Sequence, residues 1–246
     1  MLNNPDYKAA SSLITTLKAE FARLPLNRIN IDRRINFAQS LVELASHDPL
    51  KDNQTRAWLS NIEIDQFLQE TIKHAKTICY QKGQSYSLGV LGNIWEESGD
   101  WNQAQKYSTE ALIVAQEADA PEVRYLWQWQ LGRINQALGD RQAAITHYTQ
   151  SVALLKSLSQ YLVGIDPDVQ YSFRDSVEPV YRELVSLLLT ASPEAEISQA
   201  NLEEARNIIE SLQLAELNNF FREACLDGQA VSIDQVDLQA AVIYPI

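Results

Sequence analysis

Leu91-Gly92-Asn93-Ile94-Trp95-Glu96-Glu97-Ser98-Gly99-Asp100 and Leu131-Gly132-Arg133-Ile134-Asn135-Gln136-Ala137-Leu138-Gly139-Asp140 are two copies of one pattern. Leu, Gly, Ile, Gly and Asp recur at matching places, and the match runs on through Ala104 and Ala144 to Thr109 and Thr149, always 40 residues apart. A fixed period of that size marks a stacked-repeat architecture, in which one supersecondary unit cannot bury its apolar face alone and needs its neighbours. The expected fold is all-α, an α-solenoid of antiparallel helix pairs.

Inside the first copy, Tyr86, Leu88, Leu91, Gly92 and Trp95 share one helix face. Gly99-Asp100 interrupts the chain, and Ala104, Tyr107, Ala111, Leu112 and Ala115 resume the helical spacing. Gly99 and Gly139 suit the left-handed residue that ends a helix, and Asp100 and Asp140 suit the cap of the next one. Gly92 and Ala104 are expected to be small because the paired helices cross closely there. The second copy repeats these features through Leu131, Gly132, Gly139, Asp140, Ala144, Tyr148 and Leu155.

Diverged units flank the two clear ones. Upstream, Ile35 to Leu44 and Phe67 to Cys79 read as two amphipathic helices separated by a polar insert through His47-Asp48-Pro49, and Leu13 to Leu24 as a single helix before them. Downstream, Phe173 to Leu188 reads as a helix that kinks at Pro179 or starts near it. Ser192-Pro193-Glu194 opens another helix, with Leu202, Ala205, Ile208, Ile209, Leu212, Leu217, Phe220 and Phe221 giving a broad apolar surface out to Ala224. Val231-Ser232-Ile233 and Ala241-Val242-Ile243-Tyr244 are a short β-prone C-terminal segment. Such a segment is expected either to dock on a partner sheet or to open a further domain.

The 246 residues carry 32 Asp+Glu against 20 Lys+Arg, a formal net charge of −12 that repels phosphate backbones and anionic membranes. Neither nucleic acid nor membrane is an expected partner. No secretory signal and no apolar run of about 18 residues occurs. Cys79 and Cys225 lie far apart without CxxC spacing, which fits a reducing cytoplasm and two thiols buried in helix interfaces.

The Leu-Gly pair, the turn Gly and the Ala opening the second helix resemble the tetratricopeptide (TPR) consensus. That consensus repeats at about 34 residues, so the longer period implies an extended second helix or linker near Glu117-Ala118-Asp119-Ala120-Pro121. Further on, Tyr171 to Leu184, Ala205-Arg206, Ile209 to Leu226 and Ala240 to Ile246 resemble the region that joins TPR repeats to the caspase-like domain of bacterial CHAT proteins. The resemblance covers roughly residues 165 to 246. It implies a TPR-like array over 1–226, a linker and first strand of a truncated CHAT domain over 227–246, and a His and Cys dyad beyond Ile246. On that reading this chain is the non-catalytic, cytoplasmic regulatory segment of a cysteine peptidase. A complete TPR scaffold or adaptor that binds partner polypeptides is the alternative, and a following α/β domain with His and Cys distinguishes the two.

No catalytic, cofactor or metal site is expected within these residues. Cys225 and Cys79 lack an aligned base, His47, His74 and His147 have no metal-ligand spacing, and Asp166-Pro167-Asp168 lacks the rest of a calcium loop. Binding is expected instead on the face formed by the first helix of each TPR-like unit, where Gln39, Tyr86, Asn93, Glu96, Trp129, Arg133 and Gln136 are the groove candidates for a protein or peptide. The lysines of a carboxylate clamp are missing beside Asn93. Trp129 and Arg133, one turn apart, set an aromatic platform beside a guanidinium, with the competing reading that Trp127 and Trp129 fill core while Arg133 pairs with an acid. Leu217, Phe220 and Phe221 are the candidates for contact with a following domain.

Overall fold

The computed structural model describes residues 16–17, 19–46, 63–162, 177–190 and 197–221. The described residues are all-helical: after a helical turn ending at Arg23 come α1 (Arg28–Ser46), α2 (Glu63–Thr77), α3 (Gln81–Ser98), α4 (Trp101–Glu117), α5 (Pro121–Ala137), α6 (Arg141–Leu162), α7 (Glu178–Leu189) and α8 (Gln199–Phe221). Two compact units divide the chain, Met1–Val123 and Arg124–Ile246. The β-prone segment and its linker over 227–246, the insert after Ser46 and Cys225 lie outside the described residues.

The starts of α3, α4, α5 and α6 at 81, 101, 121 and 141 are 20 residues apart, so the sequence period of 40 is two equal steps. Each step is one helix and one tight turn. Neither the extended second helix nor the linker expected near Glu117–Pro121 is found in the first copy: α4 has 17 residues, α3 has 18, and the turn between α4 and α5 is three residues long.

The turns themselves are one motif used four times. Cys79, Gly99, Asp119 and Gly139 all have positive φ, at 53°, 80°, 47° and 83°. In each, the left-handed residue's N–H reaches the carbonyl three back, as in Cys79 to Lys76, and the next N–H reaches the carbonyl five back, as in Tyr80 to Ala75. These paired bonds satisfy carbonyls that the helix end would otherwise orphan. Asp100 and Asp140 then cap the following helices, accepting from the N–H of Gln103 at 3.1 Å and of Ala143 at 3.0 Å. The turns after α2 and α4 lack a side-chain cap of this kind, and after α4 Pro121 opens the helix, where its missing N–H costs nothing.

Cys79 is therefore corrected from a buried helical thiol to an exposed turn residue in the left-handed region. Helix α2 ends two residues earlier, at Thr77. Since only glycine adopts this backbone without steric cost, Cys79→Gly is expected to raise stability by about 0.5–1 kcal/mol and Asp119→Gly by less. Gly99→Ala and Gly139→Ala, with nothing within 4 Å of the added methyl, are expected to lose about 1 kcal/mol from conformation alone. Urea midpoints of the four variants check the opposite signs.

Small residues do set the helix crossings. A Cβ on Gly92 would lie 2.6 Å from Ser108 Oγ and 3.2 Å from its backbone N, and one on Gly132 would lie 2.8 Å from the Tyr148 ring. Across the same crossing, Ser85 Oγ donates to Ala111 O at 2.7 Å, whereas in the second pair Ser151 Oγ donates to Tyr125 O at 2.9 Å. Positions 85 and 125, and 111 and 151, are counterparts, so one hydrogen bond is kept with its donor moved to the other helix.

In the first unit, Ile31, Ile35, Ala38 and Val42 of α1 are buried, as are Leu68, Ile72 and Ala75 of α2 and Leu88 and Leu91 of α3. Phe21, Phe37 and Phe67 close a triangle with ring centroids 5.4–5.8 Å apart. Arg34 is buried in this core. Its Nε donates to Thr71 Oγ1 at 2.9 Å, its guanidinium stacks 4.1 Å from the Phe67 centroid, and Glu70 Oε2 lies 3.3 Å away. Burial pushes its pKa down while the charge and hydrogen bond of Glu70 oppose the shift. α3 meets α1 through Gly83, whose Cβ would touch Ile31, and through Tyr80, which donates to Asp32 Oδ1 at 2.9 Å. Burial, then that bond, pushes the Tyr80 hydroxyl up to about 12.

In the second unit, α6, α7 and α8 share a core of Tyr148, Val152, Leu155, Val180, Tyr181, Leu184, Leu188, Ala205, Ile208 and Leu212 among others. Pro179 sits in the first turn of α7, where its missing N–H costs nothing, and the expected helical stretch before Val177 lies outside the described residues. α8 starts at Gln199, where Ser198 Oγ accepts from Asn201 N–H at 3.1 Å and supplies the cap, and the expected opening at Ser192-Pro193-Glu194 lies outside the described residues.

Candidate functional site

The groove candidates fall into the two units separately. Gln39 on α1 is exposed, and Tyr86, Asn93 and Glu96 on α3 are half-buried. Lys82 Nζ and Glu122 Oε1 pair at 2.8 Å, bringing the first turn of α5 to the first turn of α3. The hydrogen bond to Glu122 pushes Lys82 up. Burial pushes Glu122 up, but the Lys82 bond, its own backbone N–H and the Lys82 charge outweigh it and leave the carboxyl below its ordinary value. With both side chains more than 40% exposed, the pair is worth at most about 1 kcal/mol. Burial also raises the Tyr86 hydroxyl.

In the second unit, α5 buries Val123's successors Trp127, Leu131 and Ile134 on one side, and this spacing turns Trp129 and Arg133 away from that stripe. The Arg133 guanidinium lies 4.6 Å from the Trp129 ring centroid, a stacked cation–π arrangement worth about 0.5–1 kcal/mol or more as water is excluded. Gln136 is exposed one turn on. The pair expected from the sequence is thus formed.

What holds it was not expected. Trp129 Nε1 donates to Glu183 Oε2 at 2.8 Å, and the Tyr148 hydroxyl donates to the same oxygen at 2.8 Å. Three helices meet at one carboxylate: Trp129 from α5, Tyr148 from α6 and Glu183 from α7. The bond to Glu183 fixes the orientation of the indole, and the shared oxygen ties it to Tyr148. Trp127 is core, 7% exposed, and Trp129 is half-buried and packed against the core of the second unit. Tyr148 stands where the first copy has Ser108, a visible departure from the repeat, whereas nothing in the sequence singles out Glu183.

Beside this cluster, His147 Nδ1 lies 2.6 Å from Gln128 Oε1. Burial pushes the imidazole below its ordinary 6.5, with the Asp140 charge opposing. A base with a depressed folded pKa binds fewer protons folded than unfolded, so its contribution is intact above about pH 6.5 and is lost as pH falls through the lowered value. His147→Gln is therefore expected to flatten the stability difference between pH 7.5 and 5. Parallel urea titrations of both proteins at the two pH values check it; equal slopes would refute it.

Leu217, expected at a domain contact, is 45% exposed. Phe220 and Phe221 lie in the last turn of α8, with their side chains outside the described residues. No group of three or more metal-ligating side chains occurs among the described residues, and no helix there is long and apolar enough to cross a membrane.

No protein-family model and no curated protein matches this chain. Among solved structures the chain is similar to BtubC (BKLC) from P. vanneervenii, at 15% sequence identity and a TM-score of 0.39, over 80% of this chain and 88% of that one.

Proposed function

We propose that this chain is a protein-recognition array: an α-solenoid of extended TPR-like helix pairs that binds a partner polypeptide and regulates a CHAT-type, caspase-like cysteine peptidase of bacterial, cytoplasmic origin. The array reading is supported by three side-by-side contacts between alternate helices. They are Gly83 and Tyr80 with Ile31 and Asp32, Lys82 with Glu122, and Trp129 with Glu183. Contacts between first helices of successive units are what stacking requires. The CHAT link rests on the sequence resemblance over roughly 165–246, and α8 is the element assigned to touch that domain through Leu217, Phe220 and Phe221. The non-enzymatic role of this segment follows from the same reading.

The observation that carries the binding proposal is the Trp129–Arg133 stack with its indole tied to Glu183. A rigid aromatic beside a guanidinium is the pairing that dominates interface energetics, since little conformational entropy is lost on binding. The test is a peptide-display selection on the full chain, followed by anisotropy titration of the best peptide. Arg133→Ala, which leaves the Trp129–Glu183 bond in place, is expected to weaken that peptide at least about tenfold, the share of an interface anchor. Unchanged affinity removes this face from the binding site.

A further inference from the structure

We draw no further inference here: the strongest candidate, the cluster of Arg28, Asp32, Tyr80, Lys82 and Glu122 at the starts of α1, α3 and α5, carries nothing because its charged and polar groups are engaged with one another, Arg28 over the Tyr80 ring at 5.3 Å, Tyr80 with Asp32 at 2.9 Å and Lys82 with Glu122 at 2.8 Å, and none of them points to a ligand.

Discussion

Glu183→Ala lowers the unfolding free energy of the second unit by about 2–4 kcal/mol, the cost of stranding polar groups that a charged acceptor had satisfied. The substitution removes one oxygen and leaves two donors without it, the Trp129 indole N–H and the Tyr148 hydroxyl. Tyr148 is wholly buried, so water does not readily replace the carboxylate for it. Trp129 is half-buried and is expected to recover part of its loss by hydration. Glu183→Gln keeps an acceptor oxygen in the same place and gives up the charge, so its cost is expected near half that of alanine, about 1–2 kcal/mol. Tyr148→Phe removes one donor and leaves the carboxylate bonded to Trp129, for about 1 kcal/mol. The order Ala, Gln, Phe is the discriminating result in urea titrations followed by tryptophan fluorescence. If Glu183→Gln proved as costly as alanine, charge and not acceptor geometry would be holding the three helices together.

This cluster also shows where the sequence is readable and where it is not. Gly99-Asp100 and Gly139-Asp140 announce their turns because each residue is nearly the sole type suited to its place: glycine for positive φ, aspartate for the cap. The same turn geometry at Cys79 and Asp119 carries neither signal. A helix-plus-turn step of 20 residues therefore shows in the sequence only as a period of 40. A period of 40 alone puts the extra length in an extended second helix or a linker, whereas α3 and α4 have nearly equal lengths of 18 and 17 residues. Trp129 and Arg133 are legible as a pair because they sit one turn apart on one helix. Glu183 is 54 residues from Trp129 on another helix, and a lone glutamate in an amphipathic helix looks like any solvated residue. Tyr148 alone left a trace, by replacing the serine that the repeat leads one to expect.

Gly132→Ala is the companion experiment, and its effect reaches the Trp129 site without touching it. The added methyl would stand 2.8, 2.9 and 3.0 Å from three atoms of the Tyr148 ring, distances that force one partner to move. An aromatic ring packed on all sides moves as a body, and shifting it pulls the hydroxyl from Glu183 Oε2. Overpacking of this sort costs about 1–3 kcal/mol, to which part of the hydrogen bond is added. At the matching place in the first unit the nearest atom to a new Cβ on Gly92 is the Ser108 hydroxyl, which can rotate away from its bond to Ala104 O, although the Ser108 backbone N at 3.2 Å cannot. Gly92→Ala is therefore expected to be the milder of the two. A double-mutant cycle separates the causes. If the ring transmits the strain to Glu183, Gly132→Ala and Tyr148→Phe are less than additive by about 0.5–1 kcal/mol, because the bond is lost once and not twice. Gly132→Ala with Tyr148→Ser, which restores the first unit's residue, relieves the clash but leaves the ring's volume empty, so the double variant is expected to stay below wild type. Strict additivity of Gly132→Ala with Tyr148→Phe would show that the helices spread apart at the crossing while the Tyr148–Glu183 bond survives.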